Sequence, residues 1–267
     1  MPSVVEFDCP YYSQQEKKVL FVTNNATKSR KNYKRKFDQL GVEAHVVNIY
    51  DLDTVEPQSN TNFKSKDEIY GSAYAAAVYI SSVVKLPKDK KVYVIGMAGM
   101  EEELRDEGVS FIGGMVGTHS RLAETYPLTV SQDPADRTFE PFSLSDFILD
   151  PDVAAVVCGL DMNVNYTKLS KAFQYLIRNP NCLFLATNDD STYPSAGGLL
   201  PGAGAISAPL RCALGKDPLS IGKPASTMLD CIKAKSVTCI LRGFLPPLIV
   251  PSELTLILNV QSWLVIV

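Results

Sequence analysis

Histidine is scarce in this chain, which has only His45 and His119 among its 267 residues. A multi-histidine metal site or a Ser/His/Asp triad therefore has few candidates, and no G-x-S-x-G nucleophile elbow occurs in the sequence. The six cysteines include no C-x-x-C pair, and the first residues show no basic region followed by an apolar one. A reducing cytoplasm is the expected compartment. Chemistry built on carboxylates, threonine and lysine suits this composition better.

An excess of positive charge is also lacking. The formal net charge is −3, which gives no general attraction to nucleic acid or to an anionic membrane. The apolar stretch at residues 254–267 is short for a membrane span, although a peripheral membrane anchor there stays an open alternative. These features favour a small substrate over a polyanion, and we expect neither a nucleic-acid partner nor a membrane.

The first clear structural unit is a strand followed by a helix. Residues 17–22 are mostly apolar and β-branched and stop at the polar Thr23, as a buried strand ending in a loop does. Ser29 is placed to cap the helix, and Gly41 is placed to end it. The buried face of this helix is predicted to contain Tyr33, Phe37 and Leu40.

Strands and helices then alternate along the chain. A second helix is predicted over residues 67–85, with small residues on its buried face that indicate close packing. Strands are predicted at residues 92–96, 153–158 and 183–187, and helices at 101–107 and 167–178. This alternation predicts an α/β protein with parallel sheets. Residues 47–66 and 115–132 interrupt the pattern and are predicted to be long loops, either functional lids or material foreign to the fold.

Two glycine-containing segments resemble nucleotide-binding motifs but lack residues that those motifs require. Residues 202–207 start like a dinucleotide-binding fingerprint, but Ser207 replaces its third glycine and no clear strand precedes it. Gly222 and Lys223 resemble the end of a phosphate-binding P-loop, yet Pro224 replaces the required Ser or Thr, and Asp217 replaces the first glycine. We therefore expect neither a Rossmann cofactor nor a nucleotide triphosphatase.

Two other positions are candidates for binding an anion. Thr23 and Asn24 lie at the C-terminal tip of a predicted strand, where α/β sheets bind ligands. Lys223 precedes Pro224, a residue favoured in the first turn of a helix, and helix N-termini attract anions. Each signal alone is equally typical of an ordinary turn or an exposed lysine. Together they predict a phosphate site if both segments face each other at one sheet edge.

Several sequence motifs of the chain also resemble those of a known protein family. Residues 19–30, Val-Leu-Phe-Val-Thr-Asn-Asn-Ala-Thr-Lys-Ser-Arg, are similar to the second motif of haloacid dehalogenase phosphatases of the 4-nitrophenylphosphatase and phosphoglycolate phosphatase branch. Further matching stretches follow in that family's order at residues 71–77, 158–161, 186–190, 200–204 and 221–224. The resemblance implies a Rossmann-like core of residues 1–86 and 206–267 with an inserted α/β cap domain of residues 87–205.

The resemblance also implies an activity. Such enzymes hydrolyse small phosphomonoesters through an aspartyl-phosphate, with Mg²⁺ bridging carboxylate and phosphate. By resemblance Thr23 and Asn24 orient the phosphoryl group and Lys223 neutralises its developing charge. Asn25 and Gly222 are the implied substrate-binding residues. The implied partner is a small phosphorylated metabolite, and a homodimer is a further expectation.

Two family motifs are not found in this sequence. The first, Asp-x-Asp-Gly, occurs nowhere complete; Asp8 imitates its opening, but Pro10 stands where the second Asp belongs. The fourth, an acidic magnesium-binding motif, is expected soon after Lys235, where only an apolar stretch is found. A faulty gene model affecting residues 1–17, 47–66, 115–132 and 236–267 is one hypothesis. No metal ligand is therefore assigned, and a catalytically inactive phosphate-binding or interaction protein is the alternative function.

Overall fold

The computed structural model describes residues 20–41, 44, 68–115, 149–242, 256–260 and 263–266. For residues 236–242 and for the last two ranges only the backbone is described. Helices pack against largely parallel sheets in these residues, so the predicted α/β class is confirmed. Asp8 and the segments predicted to be foreign to the fold lie outside the described residues, apart from Met115 and part of 236–267.

One sheet has the strand order β10, β11, β1, β2. β1 (Leu20–Thr23) pairs in parallel with β2 (Ile69–Gly71) and antiparallel with β11 (Trp263–Ile266), which in turn pairs with β10 (Leu256–Val260). All four β1 residues are buried, as the apolar run predicted. Because Thr23 is level with Gly71, both strands end at the same edge.

Helix α1 (Arg30–Gln39) begins and ends where its local signals predict. The Ser29 side chain accepts a hydrogen bond from the Asn32 N–H, and Gly41 adopts a positive φ of 71°. Tyr33 and Phe37 are buried. The prediction was wrong for Leu40, which is 64% exposed because it lies at the C-cap, beyond the face that packs on the sheet.

The segment predicted as one helix over residues 67–85 divides into three elements. Residues Ile69–Gly71 form β2, followed by α2 (Ser72–Val78) and a π-helical turn (Tyr79–Val83). Pairing of Ile69 and Tyr70 with β1 draws this start of the segment into the sheet, which corrects the helical prediction. Every α2 residue is buried, in agreement with the close packing expected of its small side chains.

The second sheet is entirely parallel, with the order β4, β3, β5, β6, β9. Its strands are β3 (Lys91–Ile95), β4 (Ser110–Gly113), β5 (Val153–Cys158), β6 (Leu183–Ala186) and β9 (Leu219–Ser220). Its helices are α3 (Ala98–Asp106), α4 (Tyr166–Arg178) and α5 (Ala203–Leu214). The strands and helices predicted in this region are confirmed with small shifts at their ends. β4, β9 and α5 were not predicted.

Two further strands were not predicted either, whereas a helix starting near Pro224 was expected. An antiparallel hairpin joins β7 (Thr192–Ser195) to β8 (Gly198–Pro201) on the surface. Helix α6 (Thr227–Arg242) follows β9. Within the described ranges, no helix is long and apolar enough to cross a membrane.

A single buried apolar cluster joins the two sheets. It includes Val22 and Tyr74 from the first unit together with Val94, Leu185 and Ile221 from the second sheet and its surroundings. A second cluster packs α4 and α5 against the other face of the second sheet. The division into a core of residues 1–86 and 206–267 and a cap of residues 87–205 stays a prediction.

A buried ion pair connects α1 to α3. The Arg30 Nε donates to Glu103 Oε2 at 2.8 Å, and the Arg30 main-chain N–H donates to Glu103 Oε1. The two residues are 5% and 1% exposed. The Arg30 guanidinium also lies 3.4 Å from the ring centroid of Tyr74 in α2. Through these contacts the Arg30 side chain packs helix α1 against both α2 and α3.

Candidate active site

Three loops that follow parallel strands meet at one place. Thr23 ends β1, Thr187 follows the end of β6, and Gly222 lies two residues beyond the end of β9. The carboxyl ends of parallel strands are where α/β proteins bind ligands. The polar residues after these strands therefore lie in the expected position for a site.

Asn24 and Lys223 contact each other although 199 positions separate them. The Lys223 main-chain N–H donates to Asn24 Oδ1 at 2.7 Å, and Asn24 Nδ2 donates to the Lys223 carbonyl at 2.9 Å. The Lys223 ammonium donates to the carbonyl of Val22 at 3.5 Å, beside Thr23. The structure thus brings together the strand tip and the lysine that sequence reasoning selected. Their roles toward a phosphoryl group stay predictions.

Local hydrogen bonds shape the loop after β1. The buried Thr23 Oγ1 accepts from the Asn25 N–H at 3.3 Å, and Ser72 Oγ donates to the Asn24 carbonyl at 2.6 Å. The exposed Asn25 accepts with Oδ1 from the main-chain N–H and the hydroxyl of Thr27, at 2.9 and 2.7 Å. Asn25, predicted as a substrate-binding residue, forms an Asx-type turn in this structure.

Gly222 lies against the carboxamide of Asn24. A Cβ added at Gly222 would lie 2.6 Å from Asn24 Oδ1, 2.6 Å from the Thr187 carbonyl and 2.8 Å from the Asn188 Cβ. All three neighbours belong to the loops after β1 and β6, so no side chain fits without moving the loops apart. Glycine at this position allows the three strand ends to meet.

The charge of Lys223 is under two opposing influences. Burial lowers the pKa of its ammonium group, and the nearby Asp190 carboxylate raises it, with burial having the larger effect. The prediction that Lys223 lies beside a helix N-terminus requires correction. Residues 222–226 form turns, and α6 begins at Thr227, with the Asp230 N–H donating to the Ser226 carbonyl. Asn24 bonds to the main chain of Lys223, and the ammonium donates to the Val22 carbonyl near the end of β1.

Sequence reasoning assigned no role to the loop after β6. Thr187 Oγ1 donates to Asn188 Oδ1 at 2.9 Å, and Asn188 Nδ2 donates to Asp190 Oδ2 at 2.9 Å. Asp190 in turn accepts from Asn24 Nδ2, at 3.3 Å on Oδ1 and 3.2 Å on Oδ2. These residues belong to a stretch that matched the family, 186–190. Their location after a parallel strand was the signal that could have identified them.

The described carboxylates at this site do not fit a magnesium ion. Mg²⁺ prefers an octahedron of oxygens that includes one or two carboxylates. Among the hydrogen bonds described here, Asp190 is the carboxylate in contact with Asn24, and both of its oxygens already accept from amide groups. Within the described part of the chain, no group of three or more His, Cys, Asp or Glu residues is arranged to hold a metal ion.

Comparison with known proteins identifies the class. A family model described as haloacid dehalogenase-like hydrolase matches residues 11–110. Together with the motifs and the α/β fold, this match confirms the resemblance of the chain to the haloacid dehalogenase-like hydrolases.

Two of the similar proteins are named as phosphatases of different substrates. The chain is 41% identical over 219 residues to the 4-nitrophenylphosphatase of Schizosaccharomyces pombe, covering 82% of this chain and 61% of the relative. It is 36% identical over 220 residues to phosphoglycolate phosphatase 2 of Arabidopsis thaliana, again covering 82% and 61%. The chain therefore spans about three fifths of the length of these two relatives.

Solved structures share the fold. A hypothetical protein from Pyrococcus horikoshii superposes with a TM-score of 0.57 at 25% identity, covering 85% of this chain and 66% of that protein. A p-nitrophenyl phosphatase from Archaeoglobus fulgidus superposes with a TM-score of 0.56 at 22% identity, covering 85% and 64%. The second likeness concerns the fold alone.

Proposed function

We propose that this protein is, by family resemblance, a phosphatase of small phosphomonoesters, of the 4-nitrophenyl phosphate and 2-phosphoglycolate type, that acts through an aspartyl-phosphate, and that the nucleophile and magnesium motifs needed for turnover are missing from this sequence. We further propose that the described residues form the part of the site that binds the phosphoryl group. The contact between Asn24 and Lys223 at the tip of β1 is the observation that carries this proposal. The names of the relatives support the reaction class.

The chemistry of the site suits a phosphoryl group. A lysine ammonium neutralises the negative charge that develops on phosphoryl oxygens, and its effect is greater where burial excludes water. The half-buried Lys223 has this character. The Thr23 hydroxyl can donate its proton to a phosphoryl oxygen while its oxygen accepts from the Asn25 N–H. Asn24 holds Lys223 with both ends of its carboxamide, which makes it a positioning residue in this proposal.

Magnesium is proposed as the cofactor on family grounds alone. When bound, it would act as a Lewis acid that screens the phosphate charge. The described residues do not supply its ligands, and no complete Asp-x-Asp-Gly motif occurs in the 267 residues. We therefore expect this chain to bind phosphate without hydrolysing 4-nitrophenyl phosphate or phosphoglycolate in the presence of magnesium. A version with both family motifs restored is expected to hydrolyse them.

Calorimetric titration with inorganic phosphate tests the proposed site. Lys223→Ala removes a charged hydrogen-bond donor and should weaken phosphate binding at least about tenfold, whereas Thr23→Ala should weaken it roughly two- to tenfold. Lys233→Ala is the matched control, because Lys233 is an exposed lysine on α6. Failure of the unaltered chain to bind phosphate, or an equal loss in the Lys233 variant, would refute the site.

Turnover assays with added magnesium test the expected lack of hydrolysis. Hydrolysis by the unaltered chain, abolished both by Lys223→Ala and by Asp8→Asn, would overturn the expectation and make Asp8 the nucleophile. The alternative function is a catalytically inactive phosphate-binding or interaction protein. It is favoured because, among the residues that the structure describes, Asp190 is the carboxylate hydrogen-bonded to Asn24, and it predicts phosphate binding without hydrolysis even after both motifs are restored.

The ligand and the cellular compartment of the protein are proposed from its charge and composition. We propose a small phosphorylated metabolite as the ligand and a cytoplasmic location, with neither nucleic acid nor membrane as a partner. The net charge of −3 and the absence of a C-x-x-C pair support these assignments. A homodimer is proposed as the assembly, and light scattering at several protein concentrations would test it.

A further inference from the structure

Asp190 lies between two carboxamides of the candidate site. Its oxygens accept from Asn24 Nδ2 at 3.3 and 3.2 Å, and Oδ2 also accepts from Asn188 Nδ2 at 2.9 Å. An ionised carboxylate can only accept hydrogen bonds, so Asn24 must turn its nitrogen toward Asp190. The carbonyl oxygen of Asn24 is then left facing the Lys223 main-chain N–H, with which it bonds at 2.7 Å. The Lys223 carbonyl also accepts from Asn24 Nδ2, at 2.9 Å, so Asp190 and the main chain of Lys223 favour the same orientation of the Asn24 carboxamide.

The main chain of Asp190 is held in place by the start of α5. The Gly204 N–H donates to the Asp190 carbonyl at 2.9 Å, and the Gly202 N–H donates to the Ser191 carbonyl at 2.8 Å. A Cβ on Gly202 would lie only 2.2 Å from the main-chain carbonyl oxygen of Asp190. The glycines of the 202–204 segment therefore allow close approach of this loop. Asp190 is exposed to solvent, yet its carbonyl and that of Ser191 are held by hydrogen bonds from residues 202–204.

We propose that Asp190 is a positioning residue of the phosphoryl site, orienting the Asn24 carboxamide and thereby holding Lys223 against the tip of β1. This inference rests on the proposed function and adds to it a residue that does not itself touch the phosphoryl group. The electrostatic arrangement supports it, because the Asp190 carboxylate raises the pKa of Lys223 against the larger lowering by burial. Asp190 thus favours the protonated form of the lysine that it also helps to place.

A positioning role and a simple charge effect predict opposite signs. If Asp190 acted only as a nearby negative charge, its removal would reduce repulsion and tighten the binding of phosphate. If it orients Asn24, its removal frees the carboxamide and loosens Lys223, so phosphate binds more weakly. The sign of the change in affinity therefore separates the two roles.

The experiment compares Asp190→Ala, Asp190→Glu and Asp189→Ala with the unaltered full chain. Asp189 is the matched control, because it is an exposed carboxylate one residue away, and the pKa of Lys223 responds to Asp190. Affinity for inorganic phosphate is measured by calorimetry at neutral pH without added metal. In parallel, NMR of ¹³C-methylated lysines follows the titration of Lys223, whose signal is assigned with Lys223→Arg.

We expect Asp190→Ala to weaken phosphate binding roughly two- to tenfold, the effect of losing one ordinary hydrogen bond, and to lower the pKa of Lys223. Asp190→Glu should restore much of the phosphate affinity and of the Lys223 pKa. Asp189→Ala should change neither the affinity nor that pKa. Unchanged or tighter binding in Asp190→Ala, or equal effects in Asp189→Ala, would overturn the inference. If the unaltered chain binds no phosphate while Asp190→Ala alone lowers the pKa of Lys223, the proposed function fails and the coupling of Asp190 to Lys223 stands.

Discussion

Removal of the Glu103 carboxylate should be among the most destabilising single changes in this protein. Glu103 accepts from both the side chain and the main chain of Arg30, and both residues are almost completely buried. Glu103→Ala would leave the Arg30 guanidinium inside the protein without this carboxylate. Such a change costs about 3–5 kcal/mol, because the buried guanidinium loses its carboxylate partner without gaining hydration.

The size of the effect can be compared with the total stability. A domain is stable by about 5–15 kcal/mol, so Glu103→Ala should remove a large share of it. With a urea m-value of about 2 kcal/mol/M, a loss of about 4 kcal/mol lowers the unfolding midpoint by roughly 2 M. Replacing both partners, as Arg30→Met with Glu103→Leu, should cost far less, since no unpaired charge is left in the interior.

Urea unfolding followed by circular dichroism measures these differences. The control is Asp38→Ala, which breaks the exposed i, i+4 pair of Lys34 and Asp38 in α1. Pairs of this kind contribute about 0.3–0.5 kcal/mol, so its midpoint should hardly move. A Glu103→Ala variant that unfolds at the same urea concentration as the control would refute the argument from buried charge.

Three further outcomes are expected. Because burial lowers the pKa of Lys223 below the usual 10.5, phosphate binding measured by calorimetry should be lost on raising the pH through that lowered value, where the ammonium loses its charge. Lys223→Arg should still bind phosphate there, and parallel loss in both proteins would contradict this cause. Gly222→Ala should abolish detectable phosphate binding, since its Cβ would meet Asn24 Oδ1 at 2.6 Å; retained affinity would show that the loops can move apart. Ser29→Ala should lower the free energy of unfolding by about 1 kcal/mol through the lost cap of α1, and an unchanged urea midpoint would show that the hydrogen bond to the Asn32 N–H contributes nothing.

Local signals predicted much of the fold because they act over a few residues. The Ser29 cap and Gly41 mark the ends of α1, and the apolar run of β5 predicts its strand with the observed bounds, Val153–Cys158. The start of β2 was misassigned because Ile69 fits a helical face equally well in sequence. Its pairing with β1, more than 40 positions earlier, decides the outcome, and no local pattern contains that information.

The candidate site was predictable to the extent that its residues follow strands. Thr23 and Lys223 were selected from a strand tip and a family motif, and the structure places them together. Asp190 was quoted within a matching motif without a role. Its hydrogen bond to Asn24 spans 166 positions, and its partner is chosen by how β6 and β1 are arranged in space. An exposed acidic residue in a loop otherwise resembles any solvated surface charge.

The long separation of Asn24 from Lys223 has a consequence during synthesis. After Asn24 the ribosome adds 199 residues up to and including Lys223, which takes on the order of 10–40 s at typical elongation rates. Throughout that interval the Asn24 carboxamide can bond only to water or to the part of the chain that has already been synthesised. The contact between Asn24 and Lys223 therefore forms only after the segment containing Gly222 and Lys223 has left the ribosome and docked against β1, however early that strand forms.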